Sequence, residues 1–482
     1  MKRIAPWSLV LLALGACSDN SPVGTEGDLS TDAASEALAT RQNGFVNVTN
    51  DDDDGKGSFR WAIGEANADP SIQAIEFRGQ SGTVHLSSTV TYTGTQALTI
   101  SGKDAVIDGA GAGGPAFAAT GGANLTIADL TIQNAPAEGI DVEIPAAATG
   151  TIRFELSGVT IKDNKGHGVL VNDQVHPETE DGVQPIADGS SASLYVEVTG
   201  SSFLGNGYSV SDRDGLRVNE GGEGSLTFVT RLSRSEDNAA DGIELDERGA
   251  GDVTIDVTGL TLARNGKFDP LDFDDGFDID EYDDGSLLGT VSATSSIDNY
   301  EEGFDFNENS AGDFKVDMSL VNASGNAEEG IDYEEDDDFA GGGDLITTMS
   351  GIVADRNGGD GGLKIREKGA GLLTANVTDV QANSNLVSGI SIREDADGTL
   401  TANIAKSRTL TNAAHGIDFD ENSTGDLVAA VTDAVSSGNT LFGVRADQQL
   451  PGTGSLLLTR ADLSGNAGGT TTGNNVTVTV AP

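Results

Sequence analysis

The chain has 482 residues, with 77 Asp and Glu against 27 Lys and Arg, and therefore a formal net charge of −50. This charge argues against nucleic-acid binding, because phosphate would be repelled. A single Cys excludes a disulfide scaffold, and one apolar run, at residues 4–16, excludes a polytopic membrane protein. Low aromatic content with high charge is typical of disordered chains, so sequence periodicity must decide whether this chain folds.

The N-terminus reads as a targeting segment. Lys2 and Arg3 precede an apolar stretch that is too short to span a bilayer, which predicts a secretory signal. The sequence Leu14-Gly15-Ala16-Cys17 resembles the bacterial lipobox. That resemblance implies a signal peptide at 1–16, a lipid on Cys17 and a flexible tether at 17–43. It also implies anchoring in the bacterial cell envelope, at the outer membrane, on a face that is left open; the alternative is an ordinary signal peptide with an incidental Cys.

Residues 44–135 contain a helix signal followed by short apolar runs. Ser58 is placed to cap a helix whose apolar face is Phe59, Ala62, Ile63 and Ala66. The segment GSFRWAIGEAN at 57–67, followed by IEF, LTISG and VIDG, resembles the N-terminal region of bacterial right-handed parallel β-helix proteins with a GSLRxAI-type cap. The resemblance implies a pectate-lyase-like β-helix and says little about function.

A repeat of about 27 residues follows within 136–482. Its recurring Gly residues are Gly215, Gly242, Gly276, Gly303, Gly330, Gly362, Gly389, Gly416 and Gly443. Counted from each Gly, positions +1 and +3 are mostly large and apolar, whereas +2 and +4 are mostly polar, which predicts a strand with one buried face. Such a unit cannot bury its apolar face alone, so the coils must stack. The predicted fold is therefore all-β: a right-handed parallel β-helix (β-solenoid) with a short N-terminal capping helix.

An Asn recurs near position +23 of each coil. The nine residues are Asn238, Asn265, Asn299, Asn326, Asn357, Asn385, Asn412, Asn439 and Asn466. In register they would stack, each amide donating a hydrogen bond to the next side chain. We interpret the series as an internal stabilising ladder rather than a binding groove.

Acidic residues concentrate on the first strand of each coil and the turn after it, which we assign to the outward face. Position +5 is Glu in eight successive coils. Stacked carboxylates repel one another, so screening salt, raised pKa values, turn hydrogen bonds or bound Ca²⁺ must offset the repulsion. The candidate Ca²⁺ ligands are Asp278, Asp280, Glu281, Asp305, Glu308, Asp332, Glu334 and Glu335. The alternatives are a solvated acidic face and, for the +5 Glu, a turn-capping residue.

Basic residues enter the same positions in later coils. Lys364, Arg366 and Arg393 form either salt bridges along the stack or a patch for an anionic sugar. We expect a lipid-anchored structural or adhesive binding module with a polysaccharide or envelope partner, and calcium as a candidate ligand. The alternative is a polysaccharide lyase or glycoside hydrolase acting on an acidic polysaccharide. No catalytic set is assigned, because Gly166-His167-Gly168 and Asp274-Asp275-Gly276 only superficially resemble polygalacturonase elements, in the wrong order.

Overall fold

A computed structural model describes residues 44–78, 82–174, 189–209, 212–270, 273–336 and 342–482. The expected signal segment, Cys17 and the tether lie outside the described residues. Within those ranges, no helix combines the length and the apolar character needed to cross a membrane.

The predicted capping helix, α1, spans Phe59–Ala68. It begins where expected, because the Ser58 hydroxyl accepts a hydrogen bond from the Trp61 backbone N–H at 3.1 Å. Phe59, Ala62, Ile63 and Ala66 are its buried residues, and the Phe59 ring packs against Phe77 and Phe117. The helix thus covers the first coils of the solenoid.

The rest of the described chain is made of parallel strands, up to three in each coil. One sheet, called sheet 1 here, has 14 strands, which in the regular repeats begin within one residue of the coil Gly. Its members are β4 (Val90–Tyr92), β6 (Phe117–Ala119), β8 (Ile140–Glu143), β11 (Val169–Asp173), β14 (Leu216–Glu220), β17 (Ile243–Glu247), β20 (Phe277–Glu281), β23 (Phe304–Glu308), β26 (Ile331–Glu335), β28 (Gly361–Glu367), β30 (Ser388–Glu394), β33 (Ile417–Glu421), β36 (Phe442–Gln448) and β38 (Gly469–Thr472).

The remaining strands complete the coils. Most belong to a 23-stranded sheet, called sheet 2, and two short strands pair with each other. Sheet 2 contains β1 (Phe45–Val48), β2 (Ala74–Phe77), β3 (Thr83–His85), β5 (Leu98–Asp108), β7 (Leu125–Gln133), β9 (Thr149–Ser157), β10 (Thr160–Lys162), β12 (Ser191–Thr199), β13 (Ser202–Leu204), β15 (Leu226–Arg231), β16 (Arg234–Glu236), β18 (Val253–Thr258), β19 (Thr261–Ala263), β21 (Leu287–Ser292), β22 (Ser295–Ile297), β24 (Phe314–Ser319), β25 (Asn322–Ser324), β27 (Leu345–Ser350), β29 (Leu373–Thr378), β31 (Leu400–Ala405), β34 (Leu427–Thr432), β37 (Gly454–Thr459) and β39 (Val476–Ala481), and the separate pair is β32 (Arg408–Leu410) with β35 (Val435–Ser437).

The chain is a right-handed parallel β-helix, as the repeat predicted. Equivalent positions of successive coils lie side by side: Phe277 pairs with Phe304, and Phe304 with Ile331. These +1 residues are fully buried. The coil Gly is required by close packing, since a Cβ at Gly242 would lie 2.5 Å from the carbonyl oxygen of Gly276.

The Asn ladder is present and fully buried along most of its length. The Asn238 backbone N–H and side-chain amide both donate to Asn265 Oδ1, at 3.1 and 3.0 Å, and the pattern repeats from coil to coil. Several residues before these Asn have left-handed backbone, for example Asp237 with φ of 58°. The Asn side chains therefore hold the tight turn that redirects each coil.

Candidate functional site

The outer face of sheet 1 carries a dense group of carboxylates. We call the acidic face the carboxylates at −1 (the residue before the coil Gly), +2 and +4 in the coils from Gly242 to Gly330. They are Asp241, Glu244, Asp246, Asp275, Asp278, Asp280, Glu302, Asp305, Glu329, Asp332 and Glu334. Parallel register places Asp305 between Asp278 and Asp332. The solenoid thus converts a sequence repeat into a continuous row of acids.

The structure divides the predicted calcium ligands between two faces. Asp278, Asp280, Asp305, Asp332 and Glu334 lie on the outer face. The +5 residues Glu281, Glu308 and Glu335 are 0% exposed. Assigning +5 to the outward face was wrong, because the two-residue period of a strand groups +5 with the buried +1 and +3 positions.

The +5 Glu residues form a buried ladder, called the glutamate ladder here. One carboxylate oxygen caps the following turn: Gly251 N–H donates to Glu247 Oε1 at 3.2 Å, and Gly312 N–H to Glu308 Oε1 at 3.1 Å. The second oxygen of each of these two is buried without a hydrogen-bond partner. Burial, followed by the neighbouring Glu308 and Glu247, raises the pKa of Glu281 to about 12. A proton on one ladder carboxyl group lets it donate a hydrogen bond to the next Glu along the stack, which an ionised pair cannot do. The ladder is therefore a structural element separate from the acidic face.

The −1 acids were missed by the sequence analysis. Asp275 N–H donates to Asp241 Oδ1 at 2.5 Å, and Glu302 N–H donates to Asp275 Oδ1 at 2.6 Å. Each of these two acids therefore caps the next coil with one oxygen. A signal was present, since five consecutive coils carry an acid immediately before the Gly: Asp214, Asp241, Asp275, Glu302 and Glu329.

Two groups of three acids have the geometry of a cation site. Asp275, Asp278 and Asp305 each offer an oxygen within 4.8 Å of the others, and so do Asp241, Glu244 and Asp278. Asp278 belongs to both groups, and its Oδ1 is buried without a hydrogen-bond partner. Clustered carboxylate oxygens are ligands that Ca²⁺ accepts, so these residues fit a divalent cation. Three further groups contain Asp212, Asp214 and Glu244; Asp275, Glu301 and Glu302; and Glu302, Glu328 and Glu329.

The central carboxyl groups have raised pKa values. Burial, followed by the charge of Asp280, raises the pKa of Asp305 to about 7, although Asn307 and Lys364 oppose the rise. Burial, with Asp280 and Asp305 nearby, raises the pKa of Asp278 well above its ordinary value. The pKa of Asp305 thus lies near neutral pH and that of Asp278 is raised, so both groups hold protons more readily than an ordinary Asp unless a bound cation ionises them.

Protein cations neutralise the two ends of the acidic face. Arg217, only 3% exposed, contacts Glu244 at 2.6 Å and Asp246 at 3.0 Å. At the other end, Lys364 contacts Asp332 at 2.6 Å and Glu334 at 2.7 Å. Between them, within the described ranges, Asp278 and Asp305 form no ion pair. The middle of the face thus lacks the counter-charge that its ends possess.

The proposed anionic-sugar residues pair with carboxylates. Besides the contacts of Lys364, Arg366 Nε donates to Asp395 at 2.6 Å. Arg393 lies 3.8 Å from Asp420. Burial lowers the pKa of Lys364, but Asp332 and Glu334 more than offset it and the pKa is raised overall. These contacts favour salt bridges between neighbouring coils over a patch for an anionic sugar.

The two polygalacturonase-like fragments remain separate. His167 is 4% exposed, and its Nδ1 accepts a hydrogen bond from the Asp214 backbone N–H at 3.0 Å. Burial lowers the pKa of His167 well below its ordinary value, so this side chain is neutral. Asp275, from the other fragment, belongs to the central acidic group instead.

Comparison with known proteins gives neither a family nor a curated relative. No family model matches the chain, and no curated protein matches it. Among solved structures, the catalytic domain of a GH87 α-1,3-glucanase in complex with nigerose shows 13% identity and a TM-score of 0.35, with 90% of this chain and 68% of that chain covered.

Two other solved structures are similar at comparable levels. The periplasmic alginate epimerase AlgG has 11% identity and a TM-score of 0.33, covering 88% of this chain and 89% of its own. Pectate lyase Pel9A has 15% identity and a TM-score of 0.28, covering 90% and 79%. At these values, no residue role passes from those enzymes to this chain.

Proposed function

We propose that this protein acts on a polysaccharide at the acidic face, with Asp278 and Asp305 as the reacting carboxyl pair. The observation that carries the proposal is the central group: oxygens of Asp275, Asp278 and Asp305 lie within 4.8 Å of one another. Glycosidic bonds are cleaved by paired carboxyl groups, of which one carries a proton and the other is ionised. With a pKa of about 7, Asp305 exists in both forms at neutral pH, and the raised pKa of Asp278 favours a proton on that group.

The central group of acids destabilises the folded chain, which supports a role beyond structure. Carboxylates without a counter-charge destabilise a fold when they are partly buried. This chain also contains the compensated alternative, because the register positions of Asp305 and Asp332 are occupied by Lys364 and Ser391 in the next two coils. Mutually close acids with raised pKa values and no counter-charge are characteristic of reaction sites.

In the proposed reaction, the protonated carboxyl group of the pair donates its proton to the leaving oxygen. The ionised carboxylate attacks the anomeric carbon as the leaving oxygen departs and forms a covalent glycosyl intermediate, because two carboxyl groups this close leave no room for a water between them and the sugar. The carboxyl group that gave its proton then takes a proton from a water that displaces the carboxylate, so the pair ends the cycle with its proton and its charge restored. Burial, with Glu302 and Asp241 nearby, raises the pKa of Asp275 as well, so this third acid also favours its protonated form. The outer face of a parallel sheet also provides several aligned positions on which successive sugar units can lie.

A calcium-binding structural or adhesive module is the second candidate, and the same cluster favours it. The partnerless buried Oδ1 of Asp278 and the nearby oxygens of Asp275 and Asp305 form a partial coordination shell for Ca²⁺. Bound cation would ionise all three acids and remove the proton donor. Both candidates retain the proposed envelope location, with the lipid on Cys17.

Product release from polysaccharides tests the proposal. The purified protein is incubated with neutral and uronate polymers, with chelator or with Ca²⁺, and new reducing ends and unsaturated products are measured. Asp278→Asn and Asp305→Asn should each lower the rate about 100-fold or more. Asp317→Asn is the matched control, because Asp317 is exposed on sheet 2 and an Asn still accepts the Thr348 N–H.

Two outcomes would overturn the assignment. Wild-type protein that releases no product from any polymer is not an enzyme of this kind. Activity that survives both central substitutions places the reaction elsewhere. If calorimetry then shows Ca²⁺ binding that disappears in Asp278→Asn, the calcium-binding module is the correct candidate.

A further inference from the structure

We propose that the substrate is a neutral polysaccharide, held against a group of exposed aromatic rings beside the acidic face; this inference rests on the proposed function. We call the rings the aromatic shelf, and they are Tyr208, Phe268, Phe273 and Tyr300. Tyr208, Phe268 and Phe273 are 46%, 39% and 41% exposed. Within the described part of the chain, these three are the large aromatic side chains with the greatest exposure.

The shelf consists of two pairs of contacting rings. Tyr208 contacts Phe268 with ring centroids 6.1 Å apart, and Phe273 contacts Tyr300 at 6.0 Å. Single exposed apolar residues are common on proteins, but several in contact mark a binding surface. Sugar rings have an apolar C–H face that packs on aromatic rings, while their hydroxyl groups remain free to hydrogen-bond.

The shelf borders the reacting groups. Phe273 lies two residues before Asp275, and Tyr300 lies two residues before Glu302. All four rings precede strands of sheet 1, on the edge where the −1 acids lie. A chain stacked there would therefore enter the acidic face beside Asp275, Asp278 and Asp305.

Backbone contacts fix the rings in place. Phe268 N–H donates to the Ala239 carbonyl at 2.9 Å, and Tyr300 N–H donates to the Asn265 carbonyl at 3.0 Å. The Tyr208 hydroxyl donates to the Asp237 carbonyl at 2.9 Å. A surface already ordered in this way loses little conformational freedom when a ligand binds.

Charge selects a neutral sugar. The acidic face would repel a polyuronate, and its recognition would require free Arg or Lys side chains. Arg217 and Lys364, at the two ends of the face, are both held by carboxylates at 3.0 Å or less. On the shelf itself, Lys267 is a single cation, 5.4 Å from the centre of the Tyr300 ring, and one cation does not offset the negative charge of the acidic face. A neutral sugar is not repelled by the acidic face, because its hydroxyl groups donate hydrogen bonds to carboxylates and accept them from protonated carboxyl groups.

Affinity electrophoresis tests the inference without depending on turnover. Protein is run through gels that contain a neutral glucan or a polyuronate, with chelator present. We expect retardation by neutral glucan, and at least tenfold weaker binding for Phe268→Ala/Phe273→Ala. Leu232→Ala is the matched control, since Leu232 is a 76% exposed apolar residue outside the shelf, and it should bind as wild type does.

The outcomes separate the two proposals. Retardation by polyuronate alone, or unchanged binding by the double variant, overturns the assignment of a neutral sugar. Asp278→Asn should still bind neutral glucan while its turnover falls. Glucan binding that depends on the shelf, in a protein without turnover, would sustain the sugar class and reject the proposed reaction.

Discussion

The coils that begin at Gly276 and Gly303 and those that begin at Gly362 and Gly416 share one backbone but neutralise charge differently. In the first pair, Asp278 and Asp305 occupy position +2 without an ion pair among the described residues. In the second pair, Lys364 contacts acids of the preceding coil, and Asp418 is held by Arg445 of the following coil at 2.9 Å. Register brings the same positions together everywhere, so residue identity alone decides whether the outer face is compensated.

This difference separates the structural role of the repeat from its chemical role. Compensated coils need nothing from outside the protein. The central coils require a proton or a cation, which makes them the place where ligand, pH and stability are coupled. The predictions below test that contrast, beginning with the largest expected effect.

A pH titration separates the glutamate ladder, which is common to both regions, from the acidic face. Burial raises the pKa of Glu247 and of Glu367 to about 9 each. Glu220 adds to the rise for Glu247 although Glu281 opposes it, and Glu394 adds to the rise for Glu367 although Glu335 opposes it. The folded chain therefore holds protons that the unfolded chain releases above a pKa of about 4.3. This stabilisation is complete below that pH and is lost as pH rises toward 9, at about 1.4 kcal/mol for each pKa unit of each group.

Thermal melts from pH 5 to pH 9.5 measure this effect, and we expect a continuous fall in Tm. Glu367→Gln should melt near wild type at pH 5 and above it at pH 9, because an amide cannot ionise. Gln448 already occupies the +5 position in β36, where its amide donates to the Gly425 carbonyl at 2.9 Å. The exposed Glu223→Gln is the control. A Tm that is constant or rises with pH would contradict the proton-sharing ladder.

Removal of Lys364 should make the compensated region resemble the central coils. Lys364→Met leaves Asp332 and Glu334, 7% and 13% exposed, without their shared cation. We expect a loss of about 3–5 kcal/mol in the free energy of unfolding, measured by urea denaturation. Lys315→Met is the control, since Lys315 and Asp313 form an ion pair with both side chains 41% exposed, and it should cost less than about 1 kcal/mol. Equal losses in the two variants would show that burial does not govern the pair.

Neutralising a central acid should instead stabilise the folded chain. Asp305→Asn removes a carboxylate whose pKa of about 7 reflects burial and the nearby Asp280. We expect the stability advantage of the variant over wild type to grow by about 2–3 kcal/mol from pH 5 to pH 8, because folded Asp305 stays protonated up to about pH 7 whereas the unfolded side chain is ionised above about pH 3.9. Urea denaturation at the two pH values measures this, with Asp317→Asn as the control. A destabilised variant at pH 8 would mean that Asp305 makes a favourable contact instead.

Calcium should give the smallest effect. At ten times its Kd, a single bound Ca²⁺ raises the free energy of unfolding by about 1.4 kcal/mol, a Tm increase of a few degrees. Asp278→Asn should abolish the increase, and Asp317→Asn should retain it. Differential scanning fluorimetry with Ca²⁺, and with Mg²⁺ for comparison, measures this. An unchanged Tm in wild type would remove calcium as a ligand and leave protons as the balancing charge.

Much of the architecture follows from local sequence rules. The two-residue alternation after each Gly gave sheet 1, and the Asn recurrence gave the buried ladder. Ser58 and the spacing of Phe59, Ala62 and Ile63 gave α1. These features depend on contacts between equivalent positions of neighbouring coils, so the period of the sequence repeat is sufficient to place them.

The candidate site needed the tertiary structure. Asp278 and Asp305 were predicted from the repeat, but their partner Asp275 precedes the coil Gly and enters the group only because the stack aligns two adjacent coils. The coil of Gly276 follows a seven-residue insertion, which contains Phe268 and Phe273, and an insertion has no counterpart in the repeat from which to infer its placement.

The sequence by itself determined the solenoid, its period and the acidic character of its central coils. Only the tertiary structure decided that Asp275 joins Asp278 and Asp305, that Lys364 is held by Asp332 and Glu334, and that Asp278 has no ion pair among the described residues. The reason is physical: stacking fixes which residues are neighbours, whereas burial and the reach of each side chain decide which charges meet.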